Sequence, residues 1–193
     1  MDVGFFSPER LITDLDGACE ARRIATEEGL TVVLTNGCFD LAHTGHVRFL
    51  HDASKLGDLL FVGINSDRTV EALKGGDRPI ISEFDRAYMV ASLGCVDVVF
   101  IFDTLDFLDP IDLLVPDVYV KGGDYTLDTL DSNERTILEK LEVKIRILPL
   151  VHGASTTNLV DHIKSRGTKW KTQWPQVRAL WGKKEVVPSA QHA

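Results

Sequence analysis

Apolar and polar positions follow two alternating rhythms along most of the chain. Short, nearly continuous apolar runs read as buried strands: TVVLTN (31–36), DLLFVGIN (58–65), VDVVFIF (96–102), DVYVKG (117–122) and VKIRILPL (143–150). The segments between them carry helical spacing. Val47, Leu50, Ala53 and Leu56 share one face of a helix over 44–56 that Gly57 stops. Ser82 caps a helix running to Leu93, with Phe84, Ala87, Val90 and Ala91 inward. Further helices are predicted over 105–115 (Pro110 near its start or at a kink), over 132–141, and from Ser155 to about 165. An N-terminal helix over 8–28 opens on the Ser7–Pro8 pair, with Leu11, Leu15, Ala18 and Ala21 in phase and Gly17 against it. Continuous apolar strands separated by helices imply an α/β domain: a doubly wound, parallel, five-stranded sheet covered on both faces.

The 193 residues suit one domain with an appendage, and the charge is uneven between the two. Residues 1–166 hold 16 basic and 28 acidic side chains, a balance of −12, whereas 167–193 hold five and one, a balance of +4. The boundary is drawn there: a body over 1–166 and a basic tail over 167–193. The body's acidity argues against a polynucleotide partner. No apolar run approaches the roughly 18 residues of a membrane span, so no integral membrane segment is expected. The start, MDVGFFSPER, lacks the basic-then-apolar order of a secretory signal. Three widely spaced cysteines, Cys19, Cys38 and Cys95, fit a reduced, cytoplasmic protein better than a disulfide scaffold.

In a sheet of this kind ligands collect at the carboxyl ends of the strands. The chemistry-bearing residues follow strands: GCFDLAHTGH, NSDRTVEALKGGDRP, KGGDY and VHGASTT. In the first of these, His43 and His46 bracket Thr44 and Gly45 where a helix begins and its backbone N–H groups lack partners. Such an end attracts an anion, and a small residue lets a phosphate approach. Two imidazoles there would donate to the anion as charge develops. The plainer alternative is a surface or metal-binding pair. Zinc is disfavoured, because neither Cys38 nor Asp40 stands at a familiar ligand spacing, and no protein-held metal is expected.

The segment TNGCFDLAHTGH resembles the first motif of the HxGH nucleotidyltransferase superfamily, the cytidylyltransferase-like group, with its Rossmann-like fold. LGDLLFVGINSD, LKGGDRPI, PDVYVKGGDY and LPLVHGASTTNLV follow in that family's order from about 7 to 164. KGGDY with GASTT is most similar to the branch that adenylylates D-glycero-D-manno-heptose 1-phosphate. The implied reaction is attack of a sugar-phosphate oxygen on the α-phosphate of ATP, giving ADP-heptose and pyrophosphate, with Mg²⁺ carried on the nucleotide. The resemblance implies catalytic roles for His43, His46 and Lys121. It implies nucleotide contacts from Thr35, Asn36, Gly37, Cys38, Phe39, Gly45, Gly122, Ser155, Thr156 and Thr157. It implies substrate contacts from Asp40, Asn65, Lys74, Arg78, Asp124 and Tyr125.

Plainer roles stand beside these. Cys38 reads as a small buried thiol, and Ser155 as a simple helix cap. Lys74 and Arg78 flank two glycines, either as a flap closing on phosphates or as a solvated charged loop. Arg86 suits a phosphate or structural role, or a surface ion pair with its surroundings. Leu150 and Val151 stand where cytidylyltransferases usually carry an arginine, which favours ATP over CTP. The rivals are a CTP-using enzyme for a polyol or amino-alcohol phosphate, and a non-catalytic nucleotide-binding module.

The tail holds all three tryptophans, Trp170, Trp174 and Trp181, with basic residues between them. It is expected either to pack over its own domain or to dock on a partner subunit of a homodimer; a membrane contact is the weaker reading.

Overall fold

The computed structural model describes residues 7–123, 126, 129–149 and 160. The chain divides into two units, 1–156 and 157–193. The expected boundary near 167, the helix from Ser155 and the tryptophan tail lie outside the described residues. Within the first unit, six parallel strands stand in the order β1-β4-β3-β2-β5-β6. They are β1 (Ile12–Thr13), β2 (Val32–Gly37), β3 (Leu59–Asn65), β4 (Val98–Phe102), β5 (Val118–Gly122) and β6 (Lys144–Leu148). The helices are α1 (Leu15–Glu27), α2 (Thr44–Ser54), α3 (Asp67–Lys74), α4 (Glu83–Ala91), α5 (Leu108–Leu114) and α6 (Ser132–Lys140).

Five of the strands are the apolar runs of the sequence; β1 is additional. It arises where one long N-terminal helix was expected. Pro8–Leu11 makes only a single 3-10 turn, and the β-branched pair Ile12–Thr13 then extends beside β4. Asp14 starts α1 afresh, its Oδ1 accepting from Gly17 N at 2.8 Å. Gly17 is there for space, since a Cβ would stand 1.9 Å from Thr13 Oγ1.

Period-two alternation sends each strand's side chains into two separate cores. Val32, Leu34, Phe61, Phe100 and Tyr119 meet α1, α5 and α6 through Ala18, Phe107, Ile111 and Leu138. Val33, Leu60, Val62, Ile64, Val99 and Val120 meet α2 and α4 through Leu50, Ala53, Ala87 and Val90. Each such buried large side chain contributes about 1.5–3 kcal/mol.

Two helical details differ from the expectation. Phe84 faces outward, 70 % exposed, because the inward stripe of α4 is Arg86, Ala87, Val90 and Ala91. Phe84 lies two positions from Arg86 and so on the far side of the helix. The second detail is α3, which replaces an expected loop. It is short and buries only Thr69 and Val70, too little apolar pattern to signal a helix. Ser66 caps its start and Gly75, at φ 94°, ends it, so Lys74 belongs to a helix terminus rather than to a loose loop.

The opposite ends of the sheet carry opposite chemistry. At the amino ends, Asp58, Asp97 and Asp117 each accept a backbone N–H at or just before a neighbouring strand (Thr31, Leu60 and Val32), all at 2.8 Å. The carboxyl ends lead into the histidine and glycine loops. Packing near the middle is tight: at Gly63 a Cβ would stand 2.7 Å from the Phe107 ring. Gly63→Ala should therefore lose about 1–3 kcal/mol of stability by overpacking, read as a lower urea midpoint with unchanged slope.

Candidate active site

The strand order reverses at β2: its neighbours on one side are β3 and β4, on the other β5 and β6. A crevice at the carboxyl ends of β2 and β5 is where such a sheet binds ligands. Thr35 Oγ1 donates to Val120 O at 2.8 Å, which ties the two strands just below that crevice. At their tips Lys121 Nζ donates to Asn36 Oδ1 at 3.0 Å and pairs with Glu134 Oε2 at 3.2 Å. The Tyr119 hydroxyl lies 3.0 Å from both Asn36 Oδ1 and Glu134 Oε2; its single proton serves one of them at a time.

The loop leaving β2 is held in an uncommon shape. Phe39 and Leu41 have φ of 49° and 51°, left-handed values that cost free energy in non-glycine residues. Two buried charged side chains fix it. Asp40 accepts from Ile80 N (3.0 Å) and Ile81 N (3.2 Å) and pairs with Arg78. Arg86, fully buried, donates to Cys38 O, Asn65 O (2.7 Å), Ile81 O (3.0 Å) and Asp67 Oδ1 (2.7 Å). Loop one, the end of β3, the start of α3 and the 78–81 segment therefore converge on one guanidinium. Arg86 is thus a buried structural clamp whose carboxylate partner is Asp67, not the adjacent Asp85.

The same loop delivers His43 and His46 to the start of α2. His43 Nδ1 accepts from Gly45 N at 3.1 Å, and His46 Nδ1 accepts from His43 N at 3.3 Å. The two side chains form a reciprocal capping box, and their rings stack with centroids 3.9 Å apart. With Nδ1 accepting in both rings, the neutral proton sits on Nε2, which becomes the donor available to a ligand. Burial lowers the His43 pKa. Burial, then the charges of His43 and Lys74, lowers His46 to about 4. Lys74 on α3 thus acts electrostatically on the α2 terminus, and both Lys74 and Lys121 act on Cys38. Burial outweighs them at Cys38 and pushes its thiol up, so it is not a thiolate at neutral pH.

The carboxyl ends of β2 and β5 thus carry Lys121, and the start of α2 is capped by two imidazoles on which the charge of Lys74 acts. Residues 34–176 match the family described as cytidylyltransferase-like. The chain belongs to the cytidylyltransferase-like family. It is 46 % identical over 157 residues to the bifunctional protein HldE of Syntrophotalea carbinolica, covering 81 % of this chain and 31 % of that protein. To HldE of Geotalea uraniireducens it is 43 % identical over 170 residues, covering 87 % and 34 %. The chain thus spans about a third of the length of these curated relatives. A lipopolysaccharide core biosynthesis protein from Thermoplasma volcanium is similar in structure, with TM-score 0.52 and 28 % identity, over 63 % of this chain and 97 % of that one. The pantoate–β-alanine ligase of Francisella tularensis shares the fold at 11 % identity, TM-score 0.54, over 80 % and 77 % of the two chains.

In this cytidylyltransferase-like chain Asn36 and Lys121 are bonded at the strand tips, Gly37 and Cys38 follow on the same loop, and Gly45 and the two histidines form the start of α2, where the charge of Lys74 acts on His46. Gly122 gives room to Phe49 of α2, whose ring a Cβ would meet at 2.6 Å. Asn65 is buried, its Oδ1 3.8 Å from Cys38 Sγ. Thr35 is taken up by the sheet and Arg78 by Asp40. Asp124, Tyr125, Ser155, Thr156 and Thr157 lie outside the described residues. Two residues the sequence did not single out are Tyr119 and Glu134; Arg86 takes the structural one of the roles expected of it. Glu134 had one signal: it shares the inward face of α6 with Leu138, four residues on, where an apolar side chain would be expected.

Unfolded His46 titrates near pH 6.5 while the folded residue holds out to about 4, so between those values the unfolded state binds more protons. Stability should be full above about pH 6.5 and fall toward pH 4, with a slope of at most about 1.4 kcal/mol per pH unit from this group. Urea titrations across that range should show the slope, and His46→Gln should flatten it. Arg86→Met leaves the Asp67 carboxylate and three carbonyls without their donor and should cost about 3 kcal/mol or more in the same measurement.

Proposed function

We propose that the chain is a nucleotidyltransferase that moves AMP from ATP to D-glycero-D-manno-heptose 1-phosphate, giving ADP-heptose and pyrophosphate. The observation that carries this reading is the pair of neutral imidazoles capping α2, with their Nε2–H donors beside the β2–β5 crevice and Lys121 at its rim. The substrate choice is supported by the KGGDY and GASTT motifs, by identities of 40–46 % to HldE proteins, and by the likeness to a lipopolysaccharide core biosynthesis protein.

An oxygen of the sugar phosphate attacks the α-phosphorus, and the bond from that phosphorus to the bridging oxygen breaks. The electron pair leaves with pyrophosphate. No enzyme group need take a proton, because both reacting phosphates are already anionic. What the protein supplies is position and compensating charge. The imidazole N–H groups, the α2 terminus, Lys74 and Lys121 oppose the charge on the phosphoryl oxygens. Mg²⁺ enters as part of the nucleotide, held by phosphate oxygens.

A cytoplasmic homodimer belongs to the same proposal. All three cysteines are free, which suits a reducing compartment, and no helix among the described residues is long and apolar enough to cross a membrane. Phe84 and Tyr88, one turn apart and exposed on α4, offer apolar area to a second copy; mass in solution tests that.

The family description also favours a second reading, transfer from CTP to a polyol or amino-alcohol phosphate. Pyrophosphate release, measured with ATP and CTP against heptose 1-phosphates of both anomers and against those acceptors, separates the two. ATP with a heptose 1-phosphate should be fastest; a strong CTP preference overturns the assignment. His46→Ala should lower kcat about 100-fold or more. Full turnover by that variant would remove the histidines from the chemistry, and ATP binding without turnover by the intact chain would leave a non-catalytic module.

A further inference from the structure

Glu134 is an acidic side chain drawn against Lys121 at the switch point, and stability alone does not explain it. It sits in the first turn of α6 with its side chain 8 % exposed, and it faces a Lys121 side chain that is 14 % exposed. A buried ion pair is commonly no more stable than a packed apolar pair of the same volume. Its arrangement is what stands out. Glu134 Oε2 lies 3.2 Å from Lys121 Nζ and 3.0 Å from the Tyr119 hydroxyl. The Tyr119 ring, fully buried and stacked on Phe107, places its centroid 5.5 Å from the same Nζ. The carboxylate therefore grips the ammonium directly and also through a rigid ring.

The effect reaches Asn36. A lysine ammonium only donates, so the Asn36 atom 3.0 Å from it must be the amide oxygen. That fixes the amide's orientation and leaves its NH₂ as a donor pair at the tip of β2.

We infer that Glu134 is a positioning residue for the phosphate site: by holding Lys121 and Tyr119 it sets where the ammonium stands and which way the Asn36 amide donates, without touching the ligand itself. This rests on the reading of the crevice as a nucleotide site. Displacement of such a group by a fraction of an ångström lowers the rate while the substrate still binds.

The test is a double-mutant cycle between positions 134 and 121, read both as pyrophosphate release and as the calorimetric Kd for ATP. Glu134→Gln keeps the shape and removes the charge. It should lower kcat about tenfold with a smaller change in KM. In a Lys121→Met background the same change should cost less than about twofold, since the group it positions is gone. Should Lys121→Met not fold, Tyr119→Phe replaces it in the cycle: it removes one oxygen from a packed ring, and its loss should likewise shrink in the Glu134→Gln background. Equal factors in both backgrounds, or a Glu134→Gln enzyme with unchanged kcat and Kd, would overturn the inference. If the wild-type chain releases no pyrophosphate with any acceptor, the proposed reaction falls, and the ATP-binding cycle decides Glu134: Glu134→Gln should raise the Kd about two- to threefold with Lys121 present and not in the Lys121→Met background, and equal factors overturn the inference.

Discussion

The Arg86 guanidinium is the constraint on which the rest of the site depends. A fully buried arginine is tolerable only when its donors are all met by well-placed acceptors. Here the acceptors are Cys38, Asn65, Asp67 and Ile81, drawn from the loop after β2, the end of β3, the start of α3 and the segment before α4. Satisfying one cation therefore fixes the exit of β2, the exit of β3, the start of α3 and the entry to α4 in a single arrangement. The left-handed residues Phe39 and Leu41 can persist because of this clamp and the one made by Asp40. His43 and His46 inherit their position from that loop.

The framework was legible because apolar runs of strand length, bounded by turn residues, have little other reading. The parallel, doubly covered sheet followed from them. The misses share a cause. β1 has two residues and α3 buries two, too few for a period to show. An aromatic normally outranks an arginine for a core position, which on sequence alone turns Phe84 inward; on α4 the arginine holds that place. For Arg86 the sequence leaves a phosphate or structural role beside a surface pair; its partners are three backbone carbonyls and Asp67, and no sequence pattern displays the carbonyls.

The histidine pair was visible as a motif, but its mechanics were not. Spacing suggested two rings facing an anion. That each Nδ1 is occupied by a backbone N–H, so that the outward nitrogen must carry the proton, depends on loop geometry. The Lys121–Glu134 pair likewise joins residues from β5 and α6 that are brought together only when both elements pack on the same sheet face as Tyr119.

Because His43 and His46 form the cap of α2 and keep Nε2 as their free donor, the helix end is presented through two aromatic rings rather than through bare amides. An imidazole whose Nδ1 accepts a hydrogen bond is polarised and donates more strongly from Nε2. The backbone's partial positive charge is in effect relayed outward by the width of a ring. Folding and chemistry share the same atoms here. A serine or aspartate could repair the cap, but it would be too short to carry the relay, so this helix cannot be made more stable by ordinary capping without losing its reach.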